Sequence, residues 1–152
     1  MILAVALVLS AVPSAVAKAR KTPDAEFKAL IQQYYDAWSK MNADAPAPLY
    51  ARDADLVFYD VAPLKYTGWE EYKRGVQTNL FDQATSGKLT AKDDLKVTRR
   101  GKLAWTTVTF HLVVKMKNGQ TLEGDGRHTA IWEKRLDKWV IVHEHVSLPL
   151  PG

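Results

Sequence analysis

The chain has 152 residues, 47% of them hydrophobic and 25% charged, with no cysteine and a formal net charge of +4. That length suits one ordinary domain with a real core and is too short for two; the composition excludes a disordered chain and a disulfide framework. The basic residues are dispersed over turn-like positions, such as Arg99, Arg100 and Lys102 or Lys134, Arg135 and Lys138, so no basic stripe marks a nucleic-acid partner.

The first segment, from Ile2 to Val12, is an apolar run without charge, followed by Pro13 and small residues. This is the pattern of a signal-peptide core with a small-x-small cleavage site after Ala17 or Ala19. Residues 1–19 are expected to be a signal peptide and 20–152 a single domain, exported to the periplasm or the exterior. The run is shorter than the roughly 18 apolar residues that span a bilayer, so no stable membrane insertion is expected after leader removal.

Thr22-Pro23 opens a helix, with Thr as N-cap and Pro in the first turn. Phe27, Leu30, Ile31, Tyr34, Trp38 and Met41 then recur at spacings of three and four, an amphipathic stripe. The prolines between Asn42 and Pro48 end it, and a short helical turn carries Leu49, Tyr50 and Ala51. Asp55 to Asp60 reads as a strand, with Leu56, Phe58 and Asp60 on one face. A second helix runs through Trp69, Tyr72, Val76 and Leu80 or Phe81, and Gly87 closes this half.

The second half reads as antiparallel strands: Lys92 to Thr98, Ala104 to Met116, Leu122 to Lys134 and Trp139 to Ser147. The Asn118-Gly119 pair is a strong hairpin signal. Gly124-Asp125-Gly126 is expected to be a bulge. Strict alternation on the last strand groups His143 and His145 with Trp139, Ile141 and Ser147, and Glu144 with Val140, Val142 and Val146; a bulge would reverse the faces. Both faces of this strand are largely apolar, which predicts a homodimer through the sheet. Helices followed by a meander of long strands make an α+β fold, with one curved antiparallel sheet wrapped around the N-terminal helices.

The order of elements, the DLVFYD strand, Thr67-Gly68 before a helix, and the final hairpin resemble the SnoaL-like, ketosteroid-isomerase-like superfamily, whose cone-shaped, cystatin-like fold is shared with nuclear transport factor two. In that hairpin Thr129, Trp132, Lys134, Arg135, Lys138, Trp139, Val142, His143, His145 and Ser147 are similar to the association domain of calcium/calmodulin-dependent kinase and its bacterial relatives. The resemblance implies a pocket between helices and concave sheet. The kinase domain's two pocket arginines fall at positions occupied here by Ala130 and Val146, which implies a less anionic ligand. Ketosteroid isomerase places a general-base aspartate after a stretch similar to Tyr50-Ala51-Arg52-Asp53-Ala54; Asp60 stands two residues farther on than that register requires.

Asp60 is therefore the leading catalytic candidate: beside Phe58 in an apolar cone, desolvation would raise its pKa towards neutrality. The bland reading is an aspartate capping a strand end. Glu144 is the second candidate, its bland reading being a structural pairing with His128 across the hairpin or with an arginine. Tyr34, Trp38, Phe58, Tyr72, Trp105, Arg127, His128, Trp132 and His145 are the expected pocket residues, with Arg127 and His145 reaching the pocket only if a bulge reverses their face. Otherwise Arg127, Thr129, His143, His145 and Ser147 make a polar network on the opposite face. No metal site is expected, since His143 and His145 have only His111 and His128 as further imidazoles, and no cofactor motif is present. The favoured reading is an exported domain that binds a small, mainly apolar ligand. The alternatives are a cofactor-independent isomerase or dehydratase with Asp60 as base, and a homo-oligomerisation module.

Overall fold

The computed structural model describes residues 23–150 and begins with helix α1 (Pro23–Trp38). The expected signal peptide and the Thr22 cap lie outside the described residues. α1 buries Phe27, Ile31, Tyr34, Tyr35 and Trp38, because a spacing of three and four places them along one side of the helix. A 3-10 turn at Ala47–Leu49 delivers Tyr50 to the core. The next residue is tied down by Ala51 N–H donating to the Ile141 carbonyl at 2.9 Å.

The short strands β1 (Val57–Tyr59) and β2 (Tyr66–Thr67) pair before helix α2 (Gly68–Asn79). A 3-10 turn at Phe81–Gln83 leads into β3 (Ala84–Ala91), β4 (Lys96–Arg100), β5 (Leu103–Met116), β6 (Thr121–Arg135) and β7 (Lys138–Ser147). The sheet order is β2-β1-β7-β6-β5-β3, with β4 also on β5. Both β3 and β4 lie along the same edge of long β5. Between them the Asp94 carboxylate accepts the Thr109 N–H at 2.9 Å and its hydroxyl at 2.7 Å, so the break in the ladder leaves no orphaned backbone donor. The result is an α+β fold with two helices packed in a curved, open sheet. No helix among the described residues is long and apolar enough to cross a membrane.

Three expectations are corrected. The sheet is mixed rather than antiparallel, because β1 runs parallel to β7, pairing Phe58 with Glu144 and Tyr59 with His145. Gly87 lies inside β3 instead of closing the first half: a Cβ there would stand 2.3 Å from Met41 Cε, so the missing side chain lets Met41 lie across the strand. Gly126 is likewise in regular register opposite Phe110, and its absent Cβ would meet the Phe110 ring at 2.3 Å. It makes room for a ring and not for a bulge.

The bulge falls in β7. Ile131 pairs with His143 and Trp132 with Ile141, leaving Val142 unopposed. The extra residue shifts the phase of alternation, so that Trp139, Ile141 and Glu144 all point inward and are buried. Strict alternation had put Glu144 on the face opposite to Trp139 and Ile141.

Candidate functional site

A cavity of about 230 Å³ lies between α1, α2 and the concave face of β3, β5, β6 and β7. Its walls are mainly aliphatic and aromatic, including Val76, Phe81, Leu112 and Val114, while Asp60, Tyr34, Tyr35, Tyr72 and His128 supply its polar side and exposed Glu123 also lines it. Among the described residues, no lysine or arginine lines it. A larger groove between α1 and the β3–β4 connection is lined by Lys28, Gln32, Lys92, Asp93 and Lys96 beside Ile31 and Leu95. It lacks buried titratable groups, so the chemistry concentrates in the smaller cavity.

Behind the cavity wall sits Glu144, fully buried. Burying a carboxylate is costly unless it is hydrogen-bonded, and two tyrosines from different elements converge to satisfy it. Tyr50 donates to it, its hydroxyl lying 2.9 Å from both Oε1 and Oε2, and Tyr72 on α2 stands 2.5 Å from Oε1. On β6, His128 Nε2 lies 3.4 Å from Oε2 but forms no hydrogen bond with it. Trp38 Nε1–H donates to the Tyr50 hydroxyl at 3.2 Å, which leaves the Tyr50 proton for Glu144. His128 is held from its other side by Tyr35, whose hydroxyl is 3.3 Å from Nδ1, and by the Tyr34 ring stacked on it at 4.5 Å.

Asp60 follows β1 and is half-buried. Its Oδ1 accepts the Val61 N–H at 2.7 Å, and Oδ2 lies 3.1 Å from the Tyr72 hydroxyl. Burial pushes its pKa up to about 6; the Val61 N–H works against this and the Glu144 charge adds to it. Burial first, and then the charges of Asp60 and Glu144, hold the Tyr72 hydroxyl well above its usual pKa. Burial followed by Glu144 does the same for Tyr34, Tyr35 and Tyr50. These phenols are donors with protons firmly attached.

Of the residues expected from sequence, Asp60, Tyr34, Trp38, Tyr72 and His128 meet at the cavity. Glu144 joins them from behind Tyr72, with His128 Nε2 3.4 Å from its Oε2. Phe58 is fully buried and stacks on Tyr72 at 5.2 Å. Trp132 is also fully buried, with its indole N–H donated to Thr106 Oγ1 at 3.0 Å.

Trp105, Arg127 and His145 lie on the convex face, opposite Ile131, Ser147 and Thr129 respectively. Alternation away from inward Ala104, His128 and Glu144 puts them outside the cavity. On that face His143 Nδ1 donates to the Val57 carbonyl at 2.7 Å, and the Tyr59 ring meets both His143 and His145 edge-on. Sequence reasoning missed Tyr35 and Tyr50 as parts of the site. Only the adjacency of Tyr35 to Tyr34, and the place of Tyr50 beside the chain that returns to β7, signalled them.

Fold and site together define a cone with an apolar cavity and a carboxyl-tyrosine-histidine wall. The chain belongs to the SnoaL-like domain family, whose profile matches residues 27–151. Among solved structures it is similar to a nuclear transport factor 2-like superfamily protein of Salmonella enterica serovar Typhimurium, at 22% identity and a TM-score of 0.76, covering 84% of this chain and 91% of that one. A Xanthomonas campestris protein named for the association domain of calcium/calmodulin dependent protein kinase II shares 21% identity at a TM-score of 0.73, covering 87% and 91%. A Streptomyces avermitilis protein of the nuclear transport factor 2-like family, named as a candidate dehydratase, shares 17% at 0.72, covering 86% and 100%. These likenesses establish the fold. No curated protein matches the chain.

Proposed function

We propose that the chain binds a small, mainly apolar molecule in this cavity and that Asp60 exchanges a proton with it. The observation that carries the reading is the Asp60 carboxyl at the polar side of a mainly apolar cavity, with its pKa pushed up to about 6. A general base works best when its pKa lies near the working pH. A cavity of about 230 Å³ is below the roughly 300 Å³ of common ligand sites, which favours a ligand of one ring or a short branched chain. Carboxyl groups without a facing lysine or arginine favour a neutral ligand over an anion.

Within this reading, isomerisation or dehydration is the reaction class supported by Asp60, and the name of the Streptomyces neighbour points the same way. The test is deuterium incorporation from D₂O into the α-carbon of a neutral cyclic ketone, followed by NMR. Exchange above the buffer rate, lost in Asp60→Asn with folding intact, supports proton transfer. Binding without any exchange removes that step and leaves a ligand-binding domain.

The convex face supports a homodimer, because Leu103, Trp105 and Ile131 are exposed there side by side. Light scattering at micromolar concentration checks this, and Trp105→Lys is expected to give monomers. Export rests on the leader-like residues 1–19. Fractionation of cells expressing the whole chain tests it.

A further inference from the structure

The Tyr72 hydroxyl carries one proton and stands between two carboxyl groups, 2.5 Å from Glu144 Oε1 and 3.1 Å from Asp60 Oδ2. One phenol can donate to only one of them at a time. When it donates to Glu144, its oxygen lone pairs face Asp60. The second contact is then a hydrogen bond only if Asp60 holds a proton and donates it to Tyr72. When Asp60 is ionised, the Tyr72 proton either turns towards it and leaves Glu144, or stays and sets lone pairs against a carboxylate. With both acids ionised, one oxygen-oxygen contact always lacks its proton.

Glu144 has reserves that Asp60 does not share. Tyr50 remains as a donor, and Trp38 holds the Tyr50 oxygen so that its proton points towards Glu144. Glu144 can therefore tolerate losing Tyr72 for the moment that Asp60 is charged. It does not line the cavity, whereas Asp60 and Tyr72 do.

We infer that Asp60, Tyr72 and Glu144 form a proton relay in which the Tyr72 hydroxyl turns between the two carboxyl groups, so that buried Glu144 governs when Asp60 can take or release a proton. Glu144 is a positioning residue that acts through Tyr72 and never touches the ligand. When Asp60 accepts a proton from the ligand, the new Oδ2–H donates to the Tyr72 oxygen and the Tyr72 hydroxyl, keeping its own proton, turns to donate to Glu144; the reverse rotation accompanies release. No net proton enters or leaves the relay except through Asp60. The other groups around it are Tyr50, which also donates to Glu144, His128 on β6 with the Tyr35 hydroxyl at its Nδ1, and Tyr34 on α1, stacked on His128. The inference rests on the proposed function only for its use in turnover, since the relay itself is a property of the ligand-free protein.

The test is a carboxyl ¹³C NMR titration of Asp60 in the wild-type chain, Glu144→Gln, Tyr72→Phe and the double variant. Glu144→Gln keeps shape and leaves Tyr72 free to serve Asp60, so the Asp60 midpoint is expected to fall by about one pH unit or more, the size that marks coupled sites. In the Tyr72→Phe background the same substitution is expected to produce less than half that displacement. Equal displacements in both backgrounds would reduce Glu144 to a through-space charge and overturn the relay, as would an unmoved Asp60.

If a variant fails to fold, the wild type still decides the matter. Its Tyr72 hydroxyl proton, deshielded in the short contact to Glu144, is expected to move upfield as Asp60 ionises. A resonance indifferent to that titration refutes the inference. Ketone exchange in D₂O, measured separately, distinguishes failure of the relay from failure of the proposed function.

Discussion

Replacing Asp60 by asparagine is expected to stabilise the fold at neutral pH while removing its function. The folded-state pKa of Asp60, raised from 3.8 to about 6, means that the folded chain holds this proton more tightly than the unfolded chain. Below about pH 3.8 both states are protonated and there is no penalty. Between there and pH 6 the unfolded state ionises first, and above pH 6 the folded state carries the full cost of an ionised, poorly solvated carboxylate. A difference of about two pH units corresponds to roughly 3 kcal/mol, and partial solvent screening of a half-buried group reduces this to about 1–2 kcal/mol. In Asp60→Asn the amide oxygen still accepts from Val61, and the amide N–H can donate to Tyr72, resolving the shortage of protons between the carboxyl groups. Urea unfolding from pH 4 to 8 is the assay. The wild type should lose stability relative to Asp60→Asn as pH rises through this window, and the variant should be the more stable protein at pH 7.5. Parallel pH profiles, or a variant less stable at pH 7.5, would refute the reasoning.

Three further outcomes follow from packing and backbone geometry. Gly126→Ala drives a Cβ into the Phe110 ring at 2.3 Å and should cost about 1–3 kcal/mol in urea unfolding, with Phe110→Leu restoring part of the loss. Leu136 is 99% exposed and sits at a φ of +53° in the β6–β7 turn; Leu136→Gly should raise stability by about 0.5–1 kcal/mol, since it relieves a left-handed conformation and loses no packing. Leu112→Trp extends a side chain into the cavity and should abolish ligand binding while calorimetry still reports a cooperative transition.

The helices were legible because Phe27, Ile31, Tyr34 and Trp38, and then Trp69, Tyr72 and Val76, repeat with helical spacing and are buried as that spacing demands. The long strands were legible from their β-branched runs and the Asn118-Gly119 turn. β3 was not: Ala84–Ala91 is polar along much of its length and interrupted by Gly87, whose role depends on Met41 from a distant segment. The phase of β7 was hidden for a similar reason, because the bulge at Val142 is a property of its pairing with β6.

At the site, Asp60 and Glu144 stood out as carboxyl groups in apolar strands. Their connection could not be read from spacing, since it is made by Tyr72 from α2 after β1 docks in parallel on β7. Tyr50 reached Glu144 across 94 positions of sequence, beyond any local pattern.

The most direct test of the central claim, that the cavity takes a small neutral ligand beside Asp60, is methyl chemical-shift mapping of the whole chain titrated with cyclohexanone. The account predicts saturable shifts at Val76, Leu112, Val114 and Val146, all on the cavity wall, with the Asp60 carboxyl resonance moving alongside them. Shifts confined to Ile31, Leu95 and Val97 in the groove beside α1, or no saturable shift anywhere, would contradict it.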